Sequence, residues 1–259
     1  MLEFINLDIV PIFLLIFVRM TAFFVILPFF SYRTIPVRVK IAFSFFLAII
    51  IFSSMDTSTM MVGDFYLLLL IKEIVVGLLI GFIAYLIVTA VQVAGGFVDF
   101  QMGFAIANVI DPQTGVQSPL TGQFFYIIAL LFLLSVNGHH LLIDGIFASY
   151  QMIPIDQMVF FGSENIAIFV IQAFSKMFLI AFQMAIPIVG CLFLVDVALG
   201  IIARTVPQLN VFVVGLPLKI FVSFVIILLF LPLFMALVKM LFETMFYTMR
   251  GLMQLFGGA

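Results

Sequence analysis

The sequence predicts an all-α integral membrane protein, and three observations lead there. Of its 259 residues, 66% are apolar and only 8% charged, with a mean hydropathy of +1.42. A soluble domain is nearer half apolar and a quarter charged, and so few polar side chains cannot coat a globule of this size. The apolar residues are gathered in long runs, several of which reach the roughly 20 helical residues that span about 30 Å of hydrocarbon. Those runs are continuous in Phe and Leu, whereas barrel strands would alternate polar and apolar residues. A soluble enzyme and a disordered chain are thereby excluded. The net charge of −2 offers no basic field for nucleic acid. A single cysteine, Cys191, excludes an intrachain disulfide and a cysteine-based metal cage. Met1-Leu2-Glu3-Phe4 lacks the basic stretch of a secretory signal, so no cleavage is expected there.

About six hydrophobic helical segments follow in order. Residues 9–30 carry Arg19 at their middle, with Pro11 and Pro28 near the ends. Residues 41–55 form a shorter run ending at Ser53-Ser54, and residues 65–91 contain the adjacent charges Lys72 and Glu73. Residues 124–136 are very apolar but give only about 20 Å of helix, short for a crossing. Residues 166–195 hold Lys176 and Pro187; residues 211–238 hold Pro217, Lys219 and Pro232. In the tail Met240–Phe256, Glu243, Tyr247, Arg250 and Gln254 share one side at helical spacing. Leu241, Met245, Met249 and Leu252 lie largely on the other, which describes an amphipathic helix for a membrane surface or a partner groove.

Basic residues in short loops should set orientation. The loop 31–40, with Arg33, Arg38 and Lys40, belongs in the cytoplasm; the loop with Asp56 and Asp64 belongs outside. The stretch 137–165, with Asp144, Asp156 and Glu164, also reads as outside. Six spans then put the tail outside, against Lys239 and Arg250, whereas omitting 124–136 puts Arg204 on the wrong side. No assignment satisfies every marker, so several segments are expected not to be ordinary lipid-facing crossings. Trp is absent, leaving Tyr32, Tyr66 and Tyr126 for the interfacial belt. Arg19, Lys72, Glu73, Asp99, Lys176, Asp196 and Lys219 interrupt apolar runs, and each would cost about 2.5–3.5 kcal/mol facing lipid at mid-membrane. They are expected to face protein or water, with snorkelling a competing account for Lys219. Gly77 and Gly81, four residues apart, form a face on which helix backbones can approach closely.

The segment from Asp99 to Gly122 is the most polar interruption. It begins after Gly95-Gly96 and is dense in turn formers, so residues 108–122 should be an irregular loop. Such backbone is tolerated at membrane depth only when buried in protein or lining a wet cavity. The loop is therefore either a solvent-exposed connector or a re-entrant plug. His139 and His140 would point about 100° apart on a helix and do not converge on a metal. With no Walker loop and no nucleophile beside a base, the sequence offers no catalytic constellation and calls for no cofactor.

At these residues the chain resembles a known family. Asp99-Phe100-Gln101-Met102-Gly103-Phe104, Asn108-Val109-Ile110-Asp111-Pro112 and Asn137-Gly138-His139-His140 are similar to successive signatures of the flagellar biosynthetic protein FliR family. So is Arg204-Thr205-Val206-Pro207-Gln208-Leu209-Asn210-Val211-Phe212, followed by Gly215-Leu216-Pro217-Leu218-Lys219. Injectisome homologues share much of the pattern, but the full Asn-Gly-His-His run favours the flagellar branch. The resemblance implies a type III export-gate subunit in the bacterial inner membrane at the flagellar basal body. One such chain joins FliP and FliQ within the membrane ring, near FlhB and FlhA, and exported flagellar subunits are the cargo.

The resemblance also implies a single domain, residues 1–259. Residues 1–165 would be a FliP-like part carrying a plug at 106–122; residues 166–259 would be a FliQ-like hairpin with the amphipathic tail. The plug would comprise Asn108, Val109, Ile110, Asp111, Pro112, Gln113, Thr114, Gly115, Val116, Gln117, Ser118, Pro119 and Leu120. Arg19, Lys72, Glu73, Asp99, Gln101, Lys176, Asp196, Arg204, Gln208, Asn210 and Lys219 would meet neighbouring subunits or be buried, which would relieve the topology conflict. Two readings of other classes compete: a stand-alone secondary transporter using Lys72, Glu73 and Asp196, and a membrane enzyme using His139, His140 and Asp144.

Overall fold

The computed structural model describes residues 9–28, 30, 35–55, 65–104, 119–159, 161–162, 164–206 and 211–257, and every regular element among them is a helix. In chain order these are α1 (Ile9–Ile26), α2 (Val37–Ser54), α3 (Tyr66–Val88), α4 (Ala90–Met102), α5 (Leu120–Ser135), α6 (Gly138–Met152), α7 (Glu164–Thr205) and α8 (Val211–Gly257). Four helical stretches are long and apolar enough to cross a membrane, and a fifth results if α5 and α6 form one broken span. This is a multi-pass helical membrane protein.

Four boundaries differ from the sequence expectation. The basic loop 31–40 ends early, because α2 starts at Val37 and takes in Arg38 and Lys40. The helix begun by α3 passes through Thr89, which keeps helical dihedrals, into α4, so Gly95-Gly96 and Asp99–Met102 are helical. The turn comes instead at Gly103, whose φ of 89° suits the residue without a Cβ. The stretch 137–165 is not simply an external loop, since α6 occupies half of it. The α5–α6 break falls at Asn137, in the left-handed region at φ 56° that Asn tolerates better than most residues. Finally, the tail is continuous with α8.

Helix length accounts for the failed topology count. α7 has 42 residues and α8 has 47, or about 63 and 70 Å at 1.5 Å per residue. Each is about twice the hydrocarbon thickness, so charges near their ends need not lie beside a bilayer surface.

The chain forms two compact units. The first comprises Met1–Leu86, Asn137–Ala173 and Thr244–Ala259; the second comprises Ile87–Val136 and Phe174–Glu243. In the first, α1 is central: Leu15, Ile16, Arg19, Met20, Phe23 and Phe24 are completely buried. α2 lies on it through a narrow stripe, Lys40, Ser44, Ala48 and Ile51, with edge-to-face pairs such as Phe13–Phe45 and Phe24–Phe43. The rest of α2, including Ile41, Phe45, Phe46, Ile49 and Ile50, is exposed, as a lipid-facing surface requires. In the tail, Met245, Met249 and Leu252 are buried while Glu243, Tyr247, Arg250 and Gln254 are exposed. This unit's own residues cover the apolar side: Phe161 packs on Phe256, and Gly257 lies against the Met152 carbonyl.

In the second unit α4 and α5 cross with their backbones nearly touching. A Cβ on Gly95 would collide with the Gly122 backbone, and one on Gly122 would come within 2.8 Å of the Gln92 carbonyl oxygen. Phe97 packs edge-on against Phe178 and Phe182 of α7, and Phe125 lies tilted against Phe234 of α8 with ring centroids 4.5 Å apart. Only 17% of the most apolar stretch of α7 or α8 is buried, against 61% in Tyr66–Met102. Most of the long helices' surface is therefore left for lipid or other proteins.

Candidate functional site

Three polar constellations interrupt the apolar helices. The first lies inside the first unit. Arg19 of α1 and Glu73 of α3 form a two-pronged ion pair, Nε to Oε2 and Nη2 to Oε1, the latter at 2.9 Å. Lys72 Nζ stands 2.7 Å from Glu73 Oε1. All three side chains are essentially inaccessible. Two cations against one carboxylate leave an excess positive charge, and the end of α6 together with the non-helical chain just past it answers it. Arg19 Nη2 donates to the Ile153 carbonyl at 2.9 Å, and Nη1 to Ser149 Oγ at 3.2 Å. Lys72 donates to the carbonyls of Pro154, Ile155 and Gln157 at 2.8–3.0 Å. Backbone carbonyls carry partial negative charge, and these four, at the C-cap of α6 and in the non-helical chain beyond it, direct it at the two cations. The Tyr150 ring lies 4.2 Å from the guanidinium carbon of Arg19, and its hydroxyl donates to the Ile16 carbonyl at 3.0 Å.

Gly77 makes this geometry possible. It lies one turn beyond Glu73, and a Cβ there would overlap the Arg19 carbonyl oxygen and reach within 3.0 Å of Ala22 Cβ. Gly81, a turn further, would meet the Phe23 carbonyl oxygen at 3.0 Å. The two glycines therefore bring α3 onto α1 at the level of the ion pair.

The second constellation is the stem of the polar loop, inside the second unit. Asp99, 2% exposed, accepts the Thr121 backbone N–H at 3.2 and 3.1 Å on its two oxygens. Thr121 is in the first turn of α5, whose N-cap position is held by Pro119. The loop thus leaves α4 at Gly103 and returns at Pro119, with its two ends joined by the Asp99 carboxylate. Asn108, Val109, Ile110, Asp111, Pro112, Gln113, Thr114, Gly115, Val116, Gln117 and Ser118 lie outside the described residues; Leu120 is exposed at the start of α5.

The third constellation is also in the second unit. Lys219 Nζ lies 2.7 Å from Asp196 Oδ1 and 2.8 Å from Oδ2, and Gln101 Nε2 donates to the same carboxylate at 2.8 Å. It ties α4, next to the loop stem, to α7 and α8. Lys219 thus has a carboxylate partner in its own chain. Lys176 and Arg204 are exposed, and Gln208 and Asn210 lie outside the described residues. The histidine rings lie 4.2 Å apart and tilted by 39°, with Asp144 exposed. No cluster of three metal-ligating side chains occurs among the described residues.

Sequence reasoning missed Ser149, Tyr150, the 153–157 carbonyls, Thr121 and the Gly95–Gly122 contact. The glycines were visible, but as loop formers; their partners lie too far along the chain for a local pattern to show.

Charges sheltered between glycine-seated helices, in a chain that also carries two helices about twice as long as the hydrocarbon is thick, define a membrane component with large exposed apolar faces. The chain belongs to the family of bacterial export proteins, family 1, whose profile matches residues 10–245. It is 56% identical over 252 residues to the flagellar biosynthetic protein FliR of Bacillus subtilis, covering 96% of this chain and 97% of that one. It is 30% identical over 224 residues to FliR of Escherichia coli K12, covering 85% and 84%. An injectisome relative, the Yop proteins translocation protein T of Yersinia pestis, is 36% identical over 159 residues, 61% of each chain.

Proposed function

We infer that this chain is the FliR-type subunit of a flagellar type III export gate, in the cell membrane at the flagellar basal body. The observation that carries this is the 56% identity to a flagellar FliR along nearly the whole of both chains. The partial match to a Yop translocation protein supports a secretion mechanism shared with injectisomes. Two physical features support a place in an assembly. α7 and α8 outrun the hydrocarbon thickness, and little of their apolar surface is covered by this chain. FliP and FliQ are the partners proposed for those faces, with FlhB and FlhA nearby; residues 1–165 act as the FliP-like part and 166–259 as the FliQ-like hairpin. No residue is assigned a catalytic step.

The loop between Gly103 and Pro119 is the proposed stopper of the conduit through which unfolded flagellar subunits pass. The pinned stem supports this reading, because a stopper must be carried on fixed supports. Deleting Asp111–Ser118, which spares the Pro119 cap, is expected to raise ion leakage through the assembled gate while the complex still forms. Conductance in whole cells or planar bilayers reads this directly; unchanged conductance with an intact complex would remove the role. Removal of the whole chain is expected to abolish motility. Mild-detergent purification is expected to recover it with small hydrophobic partners in unequal copies. Recovery of a lone chain that binds a solute would point to a transporter instead.

A further inference from the structure

We propose that the exposed seam of α7 from Lys176 to Arg204 receives one helix of a partner subunit, apolar along most of its length and acidic where it passes those two residues. The inference deepens the export-gate reading above and rests on it. This part of α7 belongs wholly to the second unit. From Lys176, alternate steps of three and four residues pass through Gln183, Gly190 and Gly200 and end at Arg204. Every residue met on the way is exposed, including Leu179, Ile186, Phe193 and Val197 at 45–60%. The opposite side, with Ala181, Met184, Ile188 and Leu192, is buried. A repeat of 3.5 residues is the spacing along which two helices wind left-handed about each other, each knob entering a hole on its neighbour. Lipid does not explain what this seam carries. Between Lys176 and Arg204 the polar side chains of α7 are Gln183 and Asp196, and Asp196 is engaged by Lys219 and Gln101. Gln183 stands exposed on the seam, and Pro187, one turn on, has no N–H to give its carbonyl. Hydrocarbon satisfies neither group, whereas a neighbouring helix with a hydroxyl or amide does. Gly190 and Gly200, the two glycines of α7, both lie on the seam, and a Cβ at either would meet nothing within 4 Å. The chain itself does not need these glycines to be small, so the room they leave serves a partner's bulkier side chains. Lys176 and Arg204 stand 28 residues apart, about 42 Å along the helix. Among the described residues no carboxylate pairs with either, and carboxylates on the partner complete both. Headgroups would serve these two cations as well, but lipid gives no reason for the glutamine or the glycines.

The test compares the full chain purified alone with the gate recovered in mild detergent. Gly190→Leu and Gly200→Leu are expected to leave the lone chain's thermal midpoint unchanged or raised. Each should cut recovery of partner subunits roughly tenfold, the scale of overpacking at a close contact. Gln183→Leu is expected to cut recovery several-fold, although leucine suits lipid better. Ala198→Leu, exposed but off the seam, should assemble at the parent ratio; an equal loss there would make the whole exposed side the interface and overturn the seam. Lys176→Met with Arg204→Met should lower recovery less, with a deficit that shrinks at high salt; a rise would refute the acidic partner. A lipid-facing seam predicts the opposite signs, with Gln183→Leu raising recovery and both glycine variants silent. That result, with the parent gate intact, overturns the inference and leaves the gate reading standing, whereas a parent chain that purifies without partners defeats the gate reading first. Should the leucine variants fail to fold, a spin label at Ile186→Cys in a Cys191→Ser background decides. Assembly is expected to remove its access to lipid-dissolved oxygen, and access that persists in the assembled gate refutes the seam.

Discussion

Replacing Glu73 with glutamine is expected to leave almost no chain extractable as a folded, monodisperse species. Arg19, Lys72 and Glu73 are all buried, and their charges sum to +1. The glutamine raises that sum to +2, in a place where water cannot reach. Breaking a buried pair by removing one partner costs about 3–5 kcal/mol, because the survivor keeps its desolvation penalty and loses its compensation. Here two survivors are left, and total stabilities are only about 5–15 kcal/mol. The carbonyls of Ile153, Pro154, Ile155 and Gln157 remain, but their partial charges cannot stand in for a full carboxylate.

The same arithmetic orders the other variants. Arg19→Met and Lys72→Met each leave a neutral pair, so both are expected to be milder than Glu73→Gln. Lys72→Met strands three carbonyls, and Arg19→Met strands Ser149 and Ile153, so neither is silent. The double change Arg19→Met with Glu73→Met restores the sum to +1 and should recover part of what Glu73→Met alone loses. Folded yield and thermal midpoint in one detergent measure the series, and a double-mutant cycle isolates the coupling. Equal yields for Glu73→Gln and the parent would show that this carboxylate does not compensate the two cations.

The helices were legible wherever hydropathy alone decides them, and the tail was legible down to single residues. Glu243, Tyr247, Arg250 and Gln254 fall outward and Met245, Met249 and Leu252 inward, as their helical spacing dictates. What could not be read was which surface takes the inward side. α6 was read as loop because Gly138, His139, His140, Asp144 and Gly145 dilute its apolar pattern; only Leu142, Ile146 and Tyr150 mark its buried face. Gly95-Gly96 reads in the sequence as the flexible start of the polar interruption because glycine has two uses. At Gly103 it turns the chain, whereas at Gly95 it admits Gly122, a partner that local spacing cannot reveal. Likewise, the cost of a charge in an apolar run showed that Arg19 and Glu73 needed shelter. That each shelters the other, 54 residues away, follows only from the packing of α1 on α3.

That packing sets the final expected result: Gly77→Ala destabilises the chain although alanine is the better helix former. In an exposed helix interior the exchange would gain about 1 kcal/mol. At Gly77 the added methyl meets the Arg19 backbone carbonyl, which cannot move without shifting α1, and Ala22 Cβ at 3.0 Å gives no room on the other side. Overpacking of this kind costs about 1–3 kcal/mol or more, and here it adds a second loss. Separating α1 from α3 lengthens the Arg19–Glu73 pair, whose strength depends on close, dry contact. Gly190 and Gly200 of α7 serve as internal controls, since a Cβ at either meets nothing within 4 Å in this chain. Gly190→Ala and Gly200→Ala are therefore expected to leave the isolated chain's thermal midpoint unchanged or raised, while Gly77→Ala lowers it by several degrees. If all three shift alike, helix propensity rather than the α1–α3 approach governs these glycines. A Gly77→Ala loss that persists undiminished in an Arg19→Met, Glu73→Met background would separate the steric clash from the ion pair it seats.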